Sequence, residues 1–327
     1  MAERSVFLVT GGAGFIGSHI CDALLAEGHL VVALDDLSTG SRANLSAGIE
    51  LELLDIRSPE AAGLIESLKP KAILHHAAQM DVRRSTREPS FDADVNILGT
   101  LNLLQAASTA GVETFVFAST GGAIYGEQES HPAAEDHPCR PLSPYGVSKL
   151  ACEHYLYYFN REYGLDATCL RYANVYGERQ NPHGEAGVVA IFLQRLIADE
   201  TPRINGDGSQ TRDYIHVSDV VAANLAVLNL NGFNTFNVGT GQETSVLDLY
   251  REICRAAQID RQPDHGPAMP GEQLRSSVDG RKLRKQLKLP TPLSLSEGLS
   301  RTAGWFRKVD EPISAKQRPA AHPQDST

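Results

Sequence analysis

Cysteine is scarce in this sequence, and long apolar runs are missing. The five cysteines are scattered and include no C-x-x-C pair, which argues against a disulfide framework and against a zinc site: they are Cys21, Cys139, Cys152, Cys169 and Cys254. The first apolar run, residues 6–10, is too short for the core of a signal peptide. No run approaches the roughly 20 residues of a membrane span. We therefore expect a reduced, cytoplasmic protein with no membrane partner.

Positive charge is also in deficit. The 327 residues carry 30 basic and 40 acidic side chains, a formal net charge of −10, and no basic stripe, so we expect no nucleic-acid partner. The cationic cluster at 275–288 alternates with apolar and polar residues, as a solvated helix face does. With 42% hydrophobic residues, the chain is long enough for two domains or for one large α/β unit with an appended lobe.

Short runs of Val, Ile and Leu alternate with longer helical patterns through the first half. Fully apolar strands separated by helices predict a parallel sheet covered on both faces, an α/β, Rossmann-type doubly wound fold. The predicted strands are 5–9, 30–34, 50–54, 72–75, 114–117 and 167–170, and the predicted helices are 14–27, 59–68, 91–110 and 144–163.

The pattern changes after about residue 175, where Pro, Asn and Gly become more frequent and the strands shorten. We expect a dinucleotide-binding domain at 1–175, with a returning segment at about 213–240, and a smaller C-terminal α/β substrate lobe at 176–307. The last of its helices is predicted at 295–306. Residues 308–327 contain three prolines and almost no apolar periodicity, which is typical of a disordered tail.

The first predicted strand runs into a glycine triplet that opens a helix. The spacing of Gly11, Gly14 and Gly17 fits a turn whose backbone N–H groups reach a pyrophosphate at the positive end of the helix. The next strand ends in Asp35, 24 residues after Gly11, where a carboxylate can accept both ribose hydroxyls. Because an acid there repels a 2′-phosphate, the pattern favours NAD over NADP.

A candidate base lies at the start of a later helix. Ser143 and Pro144 are typical of an N-cap and a first helical position, so Tyr145 and Lys149 are i and i+4 on one face. An ammonium one turn away, together with the positive ring of an oxidised nicotinamide, favours the phenolate of Tyr145. The strand at 114–117 leads to Ser119 and Thr120, of which Thr120 is the better candidate to share the hydrogen bond of the reacting hydroxyl.

These motifs together resemble the extended short-chain dehydrogenase/reductases and, within them, the UDP-glucose 4-epimerases. The resemblance covers residues 5 to about 280, and the segments that carry it are 10–19, Asp35, 54–56, 75–85, Asn96 with 99–100, 119–126, 145–149, 171–174, 210–219 and 237–239. In that family the hydroxyl residue lies 25 positions before the catalytic tyrosine, which selects Thr120. The resemblance implies a catalytic set of Tyr145, Lys149 and Thr120.

The resemblance also implies binding residues for NAD and for a UDP-sugar. The cofactor set is Gly11, Gly14, Phe15, Ile16, Gly17, Asp35, Asp36, Ser38, Gly40, Asp55, Ile56, Ala77, Ala78, Gln79, Asn96, Ser119, Tyr145, Lys149 and Tyr172. Within this set, Asp55 and Ile56 would hold the adenine, and Tyr172 would sit against the nicotinamide side. The substrate set is Thr120, Asn174, Val188, Arg212, Glu272 and Ser276.

One departure from the family concerns the diphosphate. The family usually has a second arginine three residues before the ribose-binding acid, and this chain has Met269 there. Arg275 or another basic side chain compensates, or the affinity for the nucleotide is weaker. A guanidinium suits the diphosphate because its forked donors match the phosphate oxygens.

The residues after Thr120 bear on the reaction. Dehydratases of this family have Asp-Glu after the catalytic threonine and the related decarboxylases keep the Glu, whereas this chain has Gly121 and Gly122. Elimination needs a general acid there, so we expect 4-epimerisation of a UDP-sugar through a transient 4-keto intermediate. UDP-glucuronate 4-epimerisation and a net nucleotide-sugar oxidoreductase remain alternatives. A non-enzymatic NAD sensor is disfavoured because Tyr145 and Lys149 are both present.

Three further expectations concern specificity, metals and assembly. Ser276 falls at the family position that limits room near the 2-substituent of the sugar, and a small residue there implies tolerance of N-acetyl groups. No metal is expected at His75-His76 or at the group of His131, His137 and Cys139, because neither has the spacing of a zinc site. The apolar positions Leu98, Leu101, Leu104, Tyr155, Leu156 and Phe159 recur at near-helical spacing on the helices predicted at 91–110 and 144–163. They are either core positions or, as the family resemblance implies, the contacts of a homodimer that packs these helices as a four-helix bundle.

Overall fold

The first part of the chain alternates strands with helices in the computed structural model, which describes residues 4–182, 187–269 and 273–310. The strands are β1 (Val6–Thr10), β2 (Leu30–Asp35), β3 (Glu50–Leu53), β4 (Ala72–His75), β5 (Thr114–Thr120) and β6 (Asp166–Tyr172). The helices are α1 (Phe15–Ala26), α2 (Pro59–Leu68), α3 (Val82–Arg87), α4 (Pro89–Ala93), α5 (Gly99–Ala110) and α6 (Pro144–Tyr163).

The strands of the later part are shorter. They are β7 (Asn174–Tyr176), β8 (Arg203–Asn205), β9 (Thr211–Arg212), β10 (Tyr214–His216), β11 (Phe233–Val238), β12 (Thr244–Ser245), β13 (Asp264–Gly266) and β14 (Arg275–Ser276). The helices are α7 (Val188–Ile197), α8 (Val217–Ala226), α9 (Val246–Ala257), α10 (Arg281–Leu287) and α11 (Leu295–Asp310).

A seven-stranded parallel sheet forms the centre of the molecule, in the order β11-β6-β5-β4-β1-β2-β3. Alternate residues of β1 enter different cores: Leu8 packs with side chains of α2, α5 and α6, whereas Phe7 and Val9 pack with those of α1 and α8. Both faces of the sheet are therefore buried, which explains why its strands read as continuous apolar runs. The predicted α/β fold class is confirmed.

The later part of the chain adds one strand to this sheet and several small sheets beside it. β11 pairs with β6, so that Phe236 lies opposite Leu170. β10 pairs instead with β7, and two further small sheets join β12, β9 and β14, and β13 and β8. A separate core between α7, α9 and α11 includes Phe192, Leu249 and Phe306.

The helix predicted at 91–110 is interrupted in the structure. α4 ends at Ala93, a π-helical turn occupies Asp94–Leu98, and α5 begins at Gly99. The carbonyl oxygen of Asn96 inside this turn accepts hydrogen bonds from the Thr100 hydroxyl at 2.6 Å and the Cys152 thiol at 3.2 Å. Such tertiary contacts are invisible to apolar periodicity, and π-helical turns often occur at functional sites.

The two ends of α6 follow from local chemistry. The Ser143 hydroxyl accepts a hydrogen bond from the Gly146 N–H at 3.2 Å, Pro144 takes the first helical position, and Gly164 ends the helix with a φ of +73°.

The last helix, α11, runs to Asp310, beyond the predicted end at 306. Of the tail predicted at 308–327, the first three residues therefore belong to α11, and the rest lies outside the described residues. Over the described ranges, none of the helices combines the length and apolar composition that a bilayer crossing requires.

Candidate active site

The glycine-rich turn follows β1 at the carboxyl edge of the sheet. Gly11 has a φ of +66°, and a Cβ there would lie 2.6 Å from the Ala77 nitrogen. A Cβ at Gly17 would lie 2.1 Å from the Gly11 oxygen, so the turn closes only without these side chains. Gly14, the N-cap of α1, provides no side-chain cap, which leaves the N–H groups of Phe15 and Ile16 available to an anion. This cradle fits a pyrophosphate.

Asp35, at the end of β2, faces the same turn. Its carboxylate is buried and accepts the Ala13 N–H at 3.0 Å and the Leu37 N–H at 2.8 Å. Each oxygen keeps acceptor capacity for a ribose hydroxyl. Burial raises the pKa of Asp35. A Cβ at Gly40 would lie 2.8 Å from its Oδ1, so this approach also requires glycine.

The neighbouring Asp36 belongs to a short local turn instead. Its carboxylate accepts the N–H of Ser38 at 2.9 Å and the hydroxyl of Ser38 at 2.6 Å. Both residues therefore lie beside Asp35 at the edge of the predicted ribose site.

Two residues predicted to hold the adenine follow β3. Ile56 is buried beneath Gly99, where a Cβ would meet it at 2.6 Å. Asp55 forms an ion pair with Arg57 at 2.5 Å, which lowers the pKa of Asp55. Arg57 also pairs with Asp94 at 2.5 Å, beside the π-helical turn.

The loop after β4 brings Ala77, Ala78 and Gln79 to the π-helical turn. The Asn96 side chain binds the backbone of Gln79 twice, accepting its N–H at 2.9 Å and donating to its carbonyl at 2.9 Å. The Asn96 amide thus fixes the loop by the same pair of backbone hydrogen bonds that a neighbouring strand would make.

His75 is committed to a buried chain of hydrogen bonds. Thr100 donates its hydroxyl proton to the Asn96 carbonyl, so it accepts the Nε2–H of His75 at 2.9 Å. Thr10 consequently donates to Nδ1 at 2.6 Å. Burial lowers the pKa of His75, and its neutral form satisfies the whole chain.

Metal-ligand geometry is not found in the described ranges, where groups of three or more His, Cys, Asp or Glu residues suited to an ion do not occur. In the second histidine group, His137 accepts the Glu129 N–H at 2.9 Å through Nε2.

The predicted catalytic residues come together where β5 meets α6. Lys149 is buried and donates to the Ala118 carbonyl at 2.9 Å, and its Nζ lies 5.8 Å from the centroid of the Tyr145 ring. The Ser119 hydroxyl is bound to Glu153 at 2.6 Å, whereas the side chain of the next residue, Thr120, is partly exposed. This geometry favours Thr120 over Ser119 as the hydroxyl that contacts substrate.

Electrostatics in the protein alone keep Tyr145 protonated at neutral pH. Burial, and secondarily the charge of Asp92, raise the pKa of Tyr145. Burial lowers the pKa of Lys149 to about 8, against the opposing charges of Asp92 and Glu153. Lys149 is expected to lower the pKa of the Tyr145 phenol, but in the protein alone desolvation raises that pKa by more. A further positive charge, such as that of an oxidised nicotinamide, is needed to favour the phenolate.

Tyr172 lies beneath the edge of the sheet. Its buried hydroxyl accepts from Asn224 Nδ2 at 2.8 Å and lies 3.0 Å from His76 Nε2, and the His76 ring stacks on it. Its ring is thus held by β4 and α8 below the cofactor edge.

The predicted substrate residues come from separate small strands. Arg212 and Ser276 are register neighbours in the β9–β14 pair, and the Asn174 N–H donates to the Asp213 carbonyl at 2.9 Å. A Cβ at Gly122 would lie 3.8 Å from Asn174 Oδ1 and 3.9 Å from Thr120 Oγ1, so this group adjoins the catalytic edge. Val188 is the first residue of α7. Glu272 lies outside the described residues.

Arg275 is the candidate to replace the second diphosphate arginine, which is missing at Met269. Its guanidinium forms an ion pair with Glu243 at 2.5 Å on the surface. Replacing the missing arginine would require Arg275 to leave Glu243. Met269 itself is partly exposed.

Sequence reasoning missed four buried polar residues that support the site. They are Asp92, Ser148, Glu153 and Asp213. The spacing of Asp92 and Asn96, four residues apart in a predicted helix, places two polar side chains on one face, and this was the available signal. The others make long-range contacts, such as the 2.6 Å ion pair of Glu153 with Arg171, that no local pattern shows.

Comparisons with known proteins show relatives that are similar over most of the chain. UDP-glucose 4-epimerase of Mycolicibacterium smegmatis is 45% identical over 310 residues, covering 93% of this chain and 99% of that protein. The structure of Thermotoga maritima UDP-glucose 4-epimerase with UDP-glucose matches with a TM-score of 0.90 at 44% identity, covering 93% of this chain and 99% of that chain. The Thermus thermophilus UDP-glucose 4-epimerase complex with NAD matches with a TM-score of 0.87 at 42% identity, covering 92% and 99%.

A family model describes most of the same region. It matches residues 7–239, which include the glycine-rich turn, Thr120, Tyr145 and Lys149. The chain belongs to the NAD dependent epimerase/dehydratase family.

Proposed function

We propose that this protein interconverts UDP-glucose and UDP-galactose by epimerisation at C4 of the sugar. The observation that carries the proposal is the bond of Lys149 to Ala118 of β5, which brings Tyr145 and Lys149 of α6 to the strand that ends in Thr120, at the edge of a sheet whose first turn forms a pyrophosphate cradle. The similarity to UDP-glucose 4-epimerases over more than nine tenths of the chain supports it.

The residues divide the chemistry between them. Tyr145, as phenolate, accepts the proton of the 4-hydroxyl, and Thr120 holds that hydroxyl by a hydrogen bond. NAD bound at the cradle would supply a positively charged hydride acceptor for C4 of the sugar, and no net reductant would be consumed because the hydride would return. Lys149 adds a positive charge that favours the phenolate. When C4 is reduced from its other face, Tyr145 gives the proton back.

The two glycines after Thr120 support epimerisation over dehydration. A Cβ at Gly121 would lie 2.7 Å from the Val278 side chain, so that position has no room for an acid. A Cβ at Gly122 would make only ordinary contacts, at 3.8 Å from Asn174 Oδ1 and 3.9 Å from Thr120 Oγ1, but glycine supplies no proton donor where a dehydratase needs one.

The test is turnover of UDP-glucose without added NADH, with the C4 epimers resolved by chromatography. We expect Tyr145→Phe to lose about a thousandfold or more in kcat while NAD stays bound, because general base catalysis and the ionised oxygen are both lost. Unchanged turnover in this variant would refute the assignment. Stoichiometric consumption of NADH by the unaltered protein would identify a net oxidoreductase instead.

We also propose that the sugar pocket admits N-acetyl groups. Ser276 is small and pairs in register with Arg212, the residue assigned to the diphosphate. We expect turnover of both UDP-glucose and UDP-N-acetylglucosamine, and loss of the second activity in Ser276→Tyr. Retention of the N-acetyl activity in that variant would contradict the assignment, and UDP-glucuronate in the same panel tests the uronic acid alternative.

We propose further that two copies associate through the outer face of α6. Val147, Tyr155 and Tyr158 are exposed at helical spacing, and Leu98 is exposed beside α5. Of the other predicted contact positions, Leu104, Leu156 and Phe159 are core residues. Light scattering should give twice the 35.4 kDa chain mass, and Tyr155→Glu should give a monomer.

The cysteines support a reducing compartment. All five are free thiols, and Cys21, Cys152 and Cys169 are buried. We therefore propose that the protein works in the cytoplasm.

A further inference from the structure

Asp92 is a buried carboxylate that the chemistry above does not use. Its side chain is fully buried at the end of α4. Oδ1 accepts hydrogen bonds from Gln79 Nε2 and Asn96 Nδ2, each at 3.0 Å, and Oδ2 accepts one from the Ser148 hydroxyl at 2.6 Å. The three donors belong to the loop after β4, the π-helical turn and α6, so one carboxylate joins three elements of the site.

The contact with Ser148 matters because of its place in α6. Ser148 immediately precedes Lys149 and follows Tyr145 by three residues. Gln79 and Asn96 are on the cofactor side of the cleft, where Asn96 binds the Gln79 backbone. Asp92 therefore connects the catalytic residues to the cofactor loop through side chains that are all buried.

Charge sets Asp92 apart from the other titratable groups around Tyr145 and Lys149. On α6, Glu153 is neutralised by Arg171 at 2.6 Å, and burial raises the pKa of Cys152 to about 11. At the end of β4, burial lowers the pKa of both His75 and His76, so neither carries charge at neutral pH.

Asp92 lacks such a neutralising partner. Within the described part of the chain, neither lysine nor arginine forms an ion pair with it, and its Oδ2 is bound to Ser148, the residue next to Lys149. Asp92 is thus a carboxylate beside the catalytic pair without the arginine that neutralises Glu153.

We propose that Asp92 is a positioning residue that holds α6 in register with the cofactor loop and whose fixed charge sets the pH at which Tyr145 becomes a base. The inference rests on the proposed role of Tyr145 in epimerisation. A negative charge favours the protonated state of the Tyr145–Lys149 pair, whichever of the two groups gives up the proton. Removing that charge must move the first deprotonation of the pair to lower pH.

Asp92→Asn separates the charge from the hydrogen bonds. The amide oxygen can accept from Gln79 and Asn96, and the amide nitrogen can donate to Ser148, whose hydroxyl both donates and accepts. With NAD bound, we expect the acid limb of the kcat profile to move to lower pH by about one unit. The near-ultraviolet absorbance of the Tyr145 phenolate, taken as the difference from Tyr145→Phe, should shift by the same amount.

Two variants serve as controls. Ser148→Ala keeps the charge but removes the bond to α6, so kcat should fall a few-fold while the acid limb stays in place. Glu88→Gln removes an equal charge from the exposed residue that precedes α4, and both the acid limb and kcat should stay unchanged.

An acid limb that stays in place or moves to higher pH in Asp92→Asn would overturn the inference, as would an equal shift in Ser148→Ala or Glu88→Gln. If Tyr145→Phe is inactive and Asp92→Asn is unshifted, the role of Asp92 alone fails. If Tyr145→Phe remains active, the proposed function itself fails.

Discussion

The large parallel sheet and the small sheets of the C-terminal region hold their functional residues in different ways. In the large sheet, the strands β1, β2, β4, β5 and β6 have four to seven residues and are largely buried, and each one carries its site residues to a shared edge. In the C-terminal region, β9 and β14 have two residues each. So few ladder bonds fix a position only with help from side chains.

That help comes largely from Asp213. Its buried carboxylate accepts the N–H and hydroxyl of Thr240, the N–H of Gly241 and the N–H of Val278. Asp213 directly follows Arg212 of β9, so its side chain ties β9 to the turn after β11 and to the segment after β14. The comparison teaches that backbone ladders fix the strand ends of the large sheet, whereas the two-residue strands that carry Arg212 and Ser276 depend on one carboxylate.

A substitution in the glycine-rich turn at the edge of the large sheet should have the largest effect on binding and stability. Gly17→Ala places a Cβ 2.1 Å from the Gly11 oxygen, so α1 must move away from the turn. We expect loss of NAD binding by calorimetry and a decrease of about 2 kcal/mol in the free energy of unfolding.

The matched control is Gly63→Ala in α2, where a Cβ meets nothing within 4 Å. It should stabilise the protein by about 0.5–1 kcal/mol. A Gly17→Ala protein with wild-type NAD affinity would contradict the proposed cradle.

Removal of the Asp213 carboxylate from the C-terminal region should have the next largest effect. Asp213→Ala leaves three backbone N–H groups without their acceptor, each at a cost of about 1–3 kcal/mol. We expect the KM for UDP-glucose to rise about tenfold or more while the Kd for NAD stays unchanged. Asp207→Ala, at an exposed carboxylate of the same region, should leave both constants unchanged. An equal loss of NAD affinity in Asp213→Ala would show that the two regions are not held independently.

The smallest effect is expected at Glu178, which contacts both the large-sheet region and the C-terminal region. Glu178 lies 3.3 Å from His216 through its carboxylate, and its carbonyl pairs with His19 of α1 at 2.9 Å. The contact with His216 lowers the pKa of Glu178 to about 2. A lowered carboxyl pKa stabilises the fold above the unfolded-state value of about 4.3, and the gain is lost as the pH falls towards 2.

Glu178→Gln should therefore have a lower urea midpoint than the wild type at neutral pH. The difference between the two proteins should shrink as the pH falls through about 4 towards 2. A difference that is constant across that range would show that the ion pair does not contribute through its charge.

The sequence by itself determined the elements and the cofactor edge of this protein. Apolar runs located the strands of the large sheet, and the glycine triplet, Asp35, Tyr145 and Lys149 could be proposed as site residues because each depends on neighbours within one turn or one strand-to-helix connection. Ser143 and Pro144 likewise determined where α6 begins.

Only the tertiary structure decided the break in the helix at Asp94–Leu98, the commitment of Ser119 to Glu153, and the convergence on Asp92 and Asp213. These features depend largely on hydrogen bonds between residues 13 to 65 positions apart. The physical reason is that a buried carboxylate must find donors wherever the fold brings them, and those partners share no periodicity with it.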